Sequence, residues 1–336
     1  MMKLVAPWRP SALRRNWPGA AIAIVIALAS MYVSTSYGGP TLLYALFFGI
    51  AFHFLSSDPV CKPGIEFCSK TLLRTGVALL GAKITFTQIA SLGITPLLIV
   101  VGGLVSTILL GCWLSARLGR PVTEGLLSGG AVAICGASAA LAIAAALPQT
   151  KENERFTLLT VVGVTALSTL AMIVYPLIVN LLSLDSTAAG IFIGATIHDV
   201  AQVVGAGYLI SNETGDVATV VKLARVACLV PVVIFLLIKF KSQNAKTELN
   251  TPPLVPFFLI GFVWIMLVNS FGFIPPNAGS WINDVSRACL VIAIAALGIK
   301  TSFQSLAMLG WQPVLMLFAE TAWIAIFVLV ALAFAG

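Results

Sequence analysis

Ala78-Leu-Leu-Gly-Ala-Lys-Ile-Thr-Phe86 is written a second time, with changes, as Ala295-Ala-Leu-Gly-Ile-Lys-Thr-Ser-Phe303. The offset is 217 residues, and the match runs ungapped through Leu92-Gly93 over Leu309-Gly310 and Pro96 over Pro313. Ten of the 21 positions from 78 to 98 are identical. Shared apolarity does not place Gly, Lys, Phe and Pro in one register, so the stretch reads as an internal duplication. Apolar segments fall near 18–37, 40–56, 69–88, 92–117, 123–147, 154–182, 187–210, 217–240, 254–272, 284–304 and 308–334. The copies are the third and tenth of these. Seven crossings apart is an odd number, so the copies cross in opposite directions. Inverted repeats are common in secondary transporters, because two opposed, similar halves have two nearly equivalent packings, one open to each side.

Composition agrees with a membrane. The chain has 336 residues, 59% hydrophobic and only 9% charged, with a mean hydropathy of +1.04. A soluble core cannot hide that much apolar surface, and a bilayer can. Only helices and closed barrels satisfy their backbone in lipid. Barrel strands alternate apolar and polar residues, whereas these runs are continuous over about 20 residues, so helices win. The expected fold is an all-α polytopic membrane protein of about 9–11 transmembrane helices.

The net charge of +7 is not a nucleic-acid footprint. The basic residues lie between apolar runs, where the positive-inside rule puts them. With the N-terminus inside beside Arg9, Arg14 and Arg15, the inside loops carry Lys62 and Lys70, then Arg117 and Arg120, then Lys239, Lys241 and Lys246. The loops near 89–91, 211–216 and 273–283 carry neither lysine nor arginine, which leaves the C-terminus outside. Residues 1–17 form a cytoplasmic segment and 18–336 one membrane domain, its halves 18–182 and 187–336, with a cytoplasmic linker at 239–253. Ala27-Leu28-Ala29 matches a cleavage site by letters, but the run reads as a retained first helix. The segments at 123–147 and 187–210 read either as full spans or as re-entrant; the second choice moves Lys151, Glu152, Glu154 and Arg155 inside. The six cysteines form no C-x-x-C and have no histidine near in sequence, so neither a disulfide framework nor a metal centre is expected.

Two segments suit plain lipid-facing helices poorly. The first is the glycine-rich run 128–140, with Cys135, Gly136 and Ser138; the second, 194–207, carries Thr196, His198, Asp199 and Gln202. Glycine costs about 1 kcal/mol against alanine within a helix. Such runs let backbones approach or unwind, and unwound backbone at depth survives only inside protein or against a cavity. A charge at the bilayer centre costs at least about 2.5–3.5 kcal/mol on insertion scales, so His198 and Asp199 need a reason, and function is the default. A histidine beside a carboxylate can relay protons near neutral pH. A structural cluster of helix-to-helix hydrogen bonds is the bland reading. Lys222 and Arg225 share a face at i and i+3, to pair with Asp199 or attract an anion. Lys83 and Lys300 are repeat mates, read either as anion ligands or as snorkelling anchors. Glu320, in the last segment, is read either as a proton site or as the contact to a second subunit in a homodimer.

Ile134-Cys135-Gly136-Ala137-Ser138 and His198-Asp199-Val200-Ala201-Gln202-Val203-Val204 resemble the two signature motifs of the YeiH-type family of bacterial membrane proteins. The resemblance covers essentially the whole chain, including Asn269-Ser270-Phe271. That family is often named for sulfate export and groups with the cation/proton antiporter and anion transporter superfamily. The resemblance implies an antiporter- or bile-acid-symporter-like fold: inverted repeats, a panel domain, and a core domain with broken crossing helices, moving as an elevator. For a bacterial inner-membrane protein, the lysine and arginine pattern above puts the N-terminus in the cytoplasm and the C-terminus in the periplasm.

The expected function is secondary transport of a small anion of the sulfate, sulfite, sulfonate or organic-anion class, coupled to H⁺ or Na⁺. Lys83, Lys300 and Arg225 favour a negative substrate and His198–Asp199 favours H⁺. A Na⁺ site would instead use Ser138, Thr196 and Gln202. The alternatives are a Na⁺-coupled small-solute transporter and an anion channel; no filter motif supports the channel. No H-E-x-x-H, G-x-S-x-G or paired aspartate motif is present, so an enzyme is not expected, and no cofactor is called for.

Overall fold

A computed structural model of the chain describes residues 10–37, 41–85, 87, 90, 92–148, 150–240, 257–301 and 311–335. Among these there is no strand, and the protein is an all-α polytopic membrane protein. The helices, in order, are α1 (Pro10–Tyr37), α2 (Thr41–Ala51), α3 (Lys62–Phe67), α4 (Leu73–Leu79), α5 (Thr95–Arg117), α6 (Val122–Ala133), α7 (Ala137–Ala146) and α8 (Lys151–Leu181). They continue as α9 (Ser186–Thr196), α10 (Val200–Ile210), α11 (Asn212–Ala227), α12 (Leu229–Lys239), α13 (Phe257–Ser270), α14 (Pro276–Lys300) and α15 (Trp311–Ala335). A π turn, Cys68–Leu72, joins α3 to α4. Among the described residues six stretches are long and apolar enough to cross a bilayer: Arg15–Tyr37, Thr95–Arg117, Glu152–Leu181, Asn212–Lys239, Asn277–Lys300 and Trp311–Ala335. Most of the other apolar segments are broken into pieces of about ten residues, each about 15 Å long, half a hydrocarbon core.

The chain forms two compact units, Met1–Lys83 with Gly261–Thr301, and Ile84–Ile260 with Ser302–Gly336. In the first unit glycines set the spacing. A Cβ on Gly19 would collide with the Cys61 carbonyl, and one on Gly64 with the Asn16 carbonyl, so α1 and α3 touch backbone to backbone. Gly49 and Gly298 press α2 on α14 in the same way. Lys300 Nζ donates to Ser69 Oγ at 3.4 Å, Ser286 Oγ donates to the Gly76 carbonyl at 2.7 Å, and Gly76 also faces Cys289 and Leu290. As 69 rises to 76, its partner falls from 300 to the 286–290 turns. The helices that lead into the two repeat copies therefore run antiparallel. The duplication extends further than the matched letters: shifted by 217, residues 41–51 fall within α13. There Gly81 packs on Phe262 and Met266, the mate of the Gly49–Gly298 contact.

The second unit repeats the relation with α5 and α15. Trp323 Nε1 donates to Ser106 Oγ at 3.2 Å, and these two residues are themselves 217 apart. Gly102 faces Phe327 and Gly111 faces Glu320, so α5 and α15 are antiparallel about the 106–323 contact. Helix α6 lies antiparallel on α5, with Gly125 on Gly111 and Gly129 on Thr107 and Ile108. Residues 302–310, inside the second repeat copy, lie outside the described residues, as do Lys241 and Lys246 of the linker.

Both open segments are re-entrant. Gly130 on α6 touches Ile143 on α7, although a straight helix would hold them about 20 Å apart. The chain turns back at Ile134–Gly136, where the Gly136 amide donates to the Ala131 carbonyl and Gly136 takes φ +64°. The mouth of this hairpin closes on itself: Thr123 Oγ1 bonds Asn153 Oδ1 at 3.1 Å, and Asn153 Nδ2 bonds the Pro148 carbonyl at 2.8 Å. In the second hairpin, Gly190 faces Thr214 and Val217, and Gly194 faces Ala218 and Val221, so α9 runs parallel to α11. Helix α10 turns into α11 at Ser211 and returns against it, with Gly207 on Gly215 and Tyr208 Oη donating to Asp216 at 2.6 Å. The arms thus have opposite senses and the chain reverses at Ile197–Asp199. Helix α8 joins the two hairpins. Its 31 residues span about 45 Å, so one hairpin opens on one face and the other on the opposite face.

Candidate functional site

The hairpin tips meet. Each tip ends one short helix and begins another, and a helix C-terminus leaves four carbonyls without intrahelical donors. Two buried cations on α11 fill that need. Lys222 Nζ donates to the Ile134 carbonyl at 2.7 Å and the Ile197 carbonyl at 2.9 Å, one from each tip. Arg225 donates from Nε to Ala133 (3.0 Å), from Nη2 to Val132 (2.8 Å), and from Nη1 to Gly194 (3.2 Å) and Ile197 (3.1 Å). Lys222 is 0% exposed and Arg225 1% exposed. Positive charge at the negative ends of α6 and α9 is also what the helix dipoles favour. The planar fork of arginine reaches four carbonyls that one ammonium cannot.

The opposite ends of the short helices look into the same place. At α10 the Asp199 carboxylate caps the Ala201 amide at 3.4 Å, and the Asp199 amide donates to Ser168 Oγ on α8 at 3.0 Å. At α7 the cap is Gly136, with no side-chain cap. Ser138 is exposed, and its hydroxyl bonds the Cys135 carbonyl and thiol at 3.1 Å. Gly136 sits on His198: a Cβ there would lie 3.4 Å from the His198 Cβ. Cys135 and Lys222 are each within electrostatic reach of the other, of Asp199 and of Arg225. Asp199 is half-buried and Cys135 buried, so charge and hydrogen-bonding groups collect where hydrocarbon would not hold them.

Side chains behind the tips hold them in place. His198 Nε2 bonds Thr321 Oγ1 at 3.0 Å; that hydroxyl donates to Leu317 at 2.7 Å, so it accepts from the ring. Gln202 Nε2 donates to Thr169 Oγ1 at 3.3 Å, while Gln202 Oε1 is buried without a hydrogen-bond partner. Thr196 Oγ1 donates to the Phe192 carbonyl at 2.6 Å. Glu320, next to Thr321, is 0% exposed and accepts from Ser128 Oγ at 2.7 Å. It therefore faces α6 inside its own chain.

Cys135, Gly136, Ser138, Thr196, His198, Asp199, Gln202, Lys222 and Arg225 lie on or against the two tips. Lys83 and Lys300 belong to the other compact unit, where Lys300 ends α14 against Ser69. Lys222 and Arg225 turn most of their donors to backbone carbonyls of the tips. Sequence reasoning missed Ser128, Ser168, Thr169 and Thr321; the adjacent hydroxyls at 168–169, midway along a long membrane-spanning helix, were the one available signal. Among the described residues no cluster of His, Cys, Asp and Glu has the make-up of a metal site.

Fold and centre define a multi-pass α-helical membrane protein built round two re-entrant hairpins. The family described as Conserved hypothetical protein 698 matches residues 18–317. The chain is 54% identical over 318 residues to a UPF0324 membrane protein of Chlorobaculum tepidum, covering 94% of this chain and 88% of that one. It is 44% identical over 327 residues to the UPF0324 membrane protein TauZ of Paracoccus pantotrophus, covering 96% and 97%. A further UPF0324 membrane protein, of Rhizobium meliloti, is 45% identical over 321 residues, covering 95% and 93%. The chain belongs to the UPF0324 family, the YeiH-type family that its motifs resemble.

Proposed function

We propose that the protein is a secondary active transporter of a small anion, driven by an ion gradient, with H⁺ ahead of Na⁺, and working by alternating access rather than catalysis. The observation that carries this reading is the meeting of two hairpin tips that enter from opposite faces. Each hairpin closes the path to its own face, so withdrawing one tip opens one side only. Two helix N-termini, α7 and α10, direct partial positive charge into the junction, and Lys222 and Arg225 add to it. That field suits sulfate, sulfite, a sulfonate or a small organic acid. His198 and Asp199, at one tip, are the groups suited to proton coupling. The unpartnered Gln202 Oε1 favours Na⁺ as the second reading, since Na⁺ takes hard oxygen ligands, and Ser138 and Thr196 are the hydroxyls that reading would add.

We place the protein in the bacterial inner membrane with its N-terminus cytoplasmic and C-terminus periplasmic. With both hairpins re-entrant, Arg117, Arg120, Lys151, Arg155 and Lys239 all fall on one face, as the positive-inside rule requires of the cytoplasmic one. The test is uptake of radiolabelled sulfate or a small sulfonate by proteoliposomes, under an imposed pH gradient, a Na⁺ gradient, or neither. Accumulation that follows the pH gradient is expected. Accumulation with Na⁺ alone selects the second reading. Uptake no greater than in protein-free liposomes for every anion of the class removes the proposal, and large gradient-independent currents would make the protein a channel.

A further inference from the structure

The first compact unit holds a cleft of about 500 Å³, separate from the hairpins and unused by the reading above. Arg15 and Asn16 of α1 form one wall, and Lys62, Glu66, Lys70 and Thr71 the other. Three cations and one carboxylate leave a net charge of +2 on its walls. Lys62, Glu66 and Lys70 follow one another at intervals of four, so they line one side of the helical run. The ion pair seen there among the described residues is loose: Lys70 Nζ lies 4.0 Å from Glu66, with side chains 58% and 45% exposed. Such a pair contributes little and does not hold Lys70 back from a better partner.

Gly19 on Cys61 and Gly64 on Asn16 hold α1 and α3 backbone to backbone beside the charged side chains, so the two walls keep a fixed spacing. The depth is that of lipid headgroups. The apolar span of α1 begins at Arg15, and Trp17, 60% exposed, follows two residues later as an interfacial anchor. Phe67 lines the cleft and is 39% exposed, so apolar surface adjoins the cations. Basic pockets between transmembrane helices at a cytoplasmic surface suit phosphate headgroups.

We propose that this cleft is a binding site for the phosphate of an anionic phospholipid, seated between Arg15 on one side and Lys62 and Lys70 on the other. Acyl chains run from it along α1. The site is independent of what the hairpins carry. The test uses full-length protein in neutral detergent, titrated with phosphatidylglycerol, phosphatidylcholine or inorganic phosphate, and read by native mass spectrometry and thermal unfolding. Phosphatidylglycerol should bind and raise the melting temperature, the zwitterionic lipid should bind at least tenfold more weakly, and inorganic phosphate should do neither. The double variant Lys62→Gln, Lys70→Gln should lose at least tenfold in phosphatidylglycerol affinity. Both lysines are exposed, so the variant should fold; should it not, Lys70→Gln alone carries the comparison with a loss of severalfold. Equal binding of the two lipids, equal binding by wild type and variant, or equal stabilisation by free phosphate each overturns the proposal.

Discussion

Replacing Arg225 by methionine should disrupt the hairpin junction more than any other single substitution there. Methionine keeps an unbranched apolar stem, two atoms shorter, and loses the five donors. The carbonyls of Val132, Ala133 and Gly194 then lose the side-chain donor that ends α6 and α9, while Ile197 keeps Lys222. A buried polar group left without its partner costs about 1–3 kcal/mol, so three cost about 3–9 kcal/mol. A whole domain is stable by about 5–15 kcal/mol. For a domain of about 150–250 residues each kcal/mol moves the melting temperature by about 2–4 °C, which puts the drop at about 6 °C or more. Arg225→Lys should fall between, since an ammonium restores charge and one or two of the bonds. The assay is thermal unfolding of detergent-purified protein, with Arg155→Met, on the exposed first turn of α8, as the control. An Arg225→Met protein that melts within about 2 °C of wild type would refute the idea that this side chain ties the tips together.

Asp199→Asn should keep the fold, because asparagine caps a helix N-terminus as well as aspartate does. It should abolish gradient-driven uptake in the proteoliposome assay, and normal uptake would remove the carboxylate from coupling. Ser128→Ala deprives the buried Glu320 of the Oε1 hydrogen bond and should lower stability by about 1–3 kcal/mol. The double variant Ser128→Ala, Glu320→Leu should recover part of that loss; a doubly changed protein less stable than Ser128→Ala would show that Glu320 has other partners that matter more.

Much of the fold is legible before any coordinates. Matching Gly, Lys, Phe and Pro at 78–98 and 295–315 fix a duplication, and the antiparallel contacts Gly76–Ser286 and Ser106–Trp323 follow from it. The glycine runs at 128–140 and 194–207 mark where helices break. What the letters leave open is whether a broken segment crosses or turns back. Two apolar arms of about ten residues, folded on each other, have the same composition as one span of about 20 residues. Only the long-range contact between Gly130 and Ile143, and the parallel run of α9 on α11, decide it. The roles of Lys222 and Arg225 were half legible. Their depth shows in the sequence, but not that backbone carbonyls from two distant segments take up their donors. Ser168, Thr169 and Thr321 were hidden because a hydroxyl in an apolar helix often just bonds the carbonyl one turn back, as Thr196 does here.

The account depends on two hairpins that enter from opposite faces, and cysteine labelling in a cysteine-free background tests this directly. Single cysteines at Gly119, Glu152, Ser183 and Asn212 are treated with a membrane-impermeant maleimide in right-side-out and inverted vesicles. Positions 119 and 152 should label from one face only, and 183 and 212 only from the other. Labelling of 119 and 152 from opposite faces would mean that the segment between them crosses the bilayer, and the junction described above could not exist.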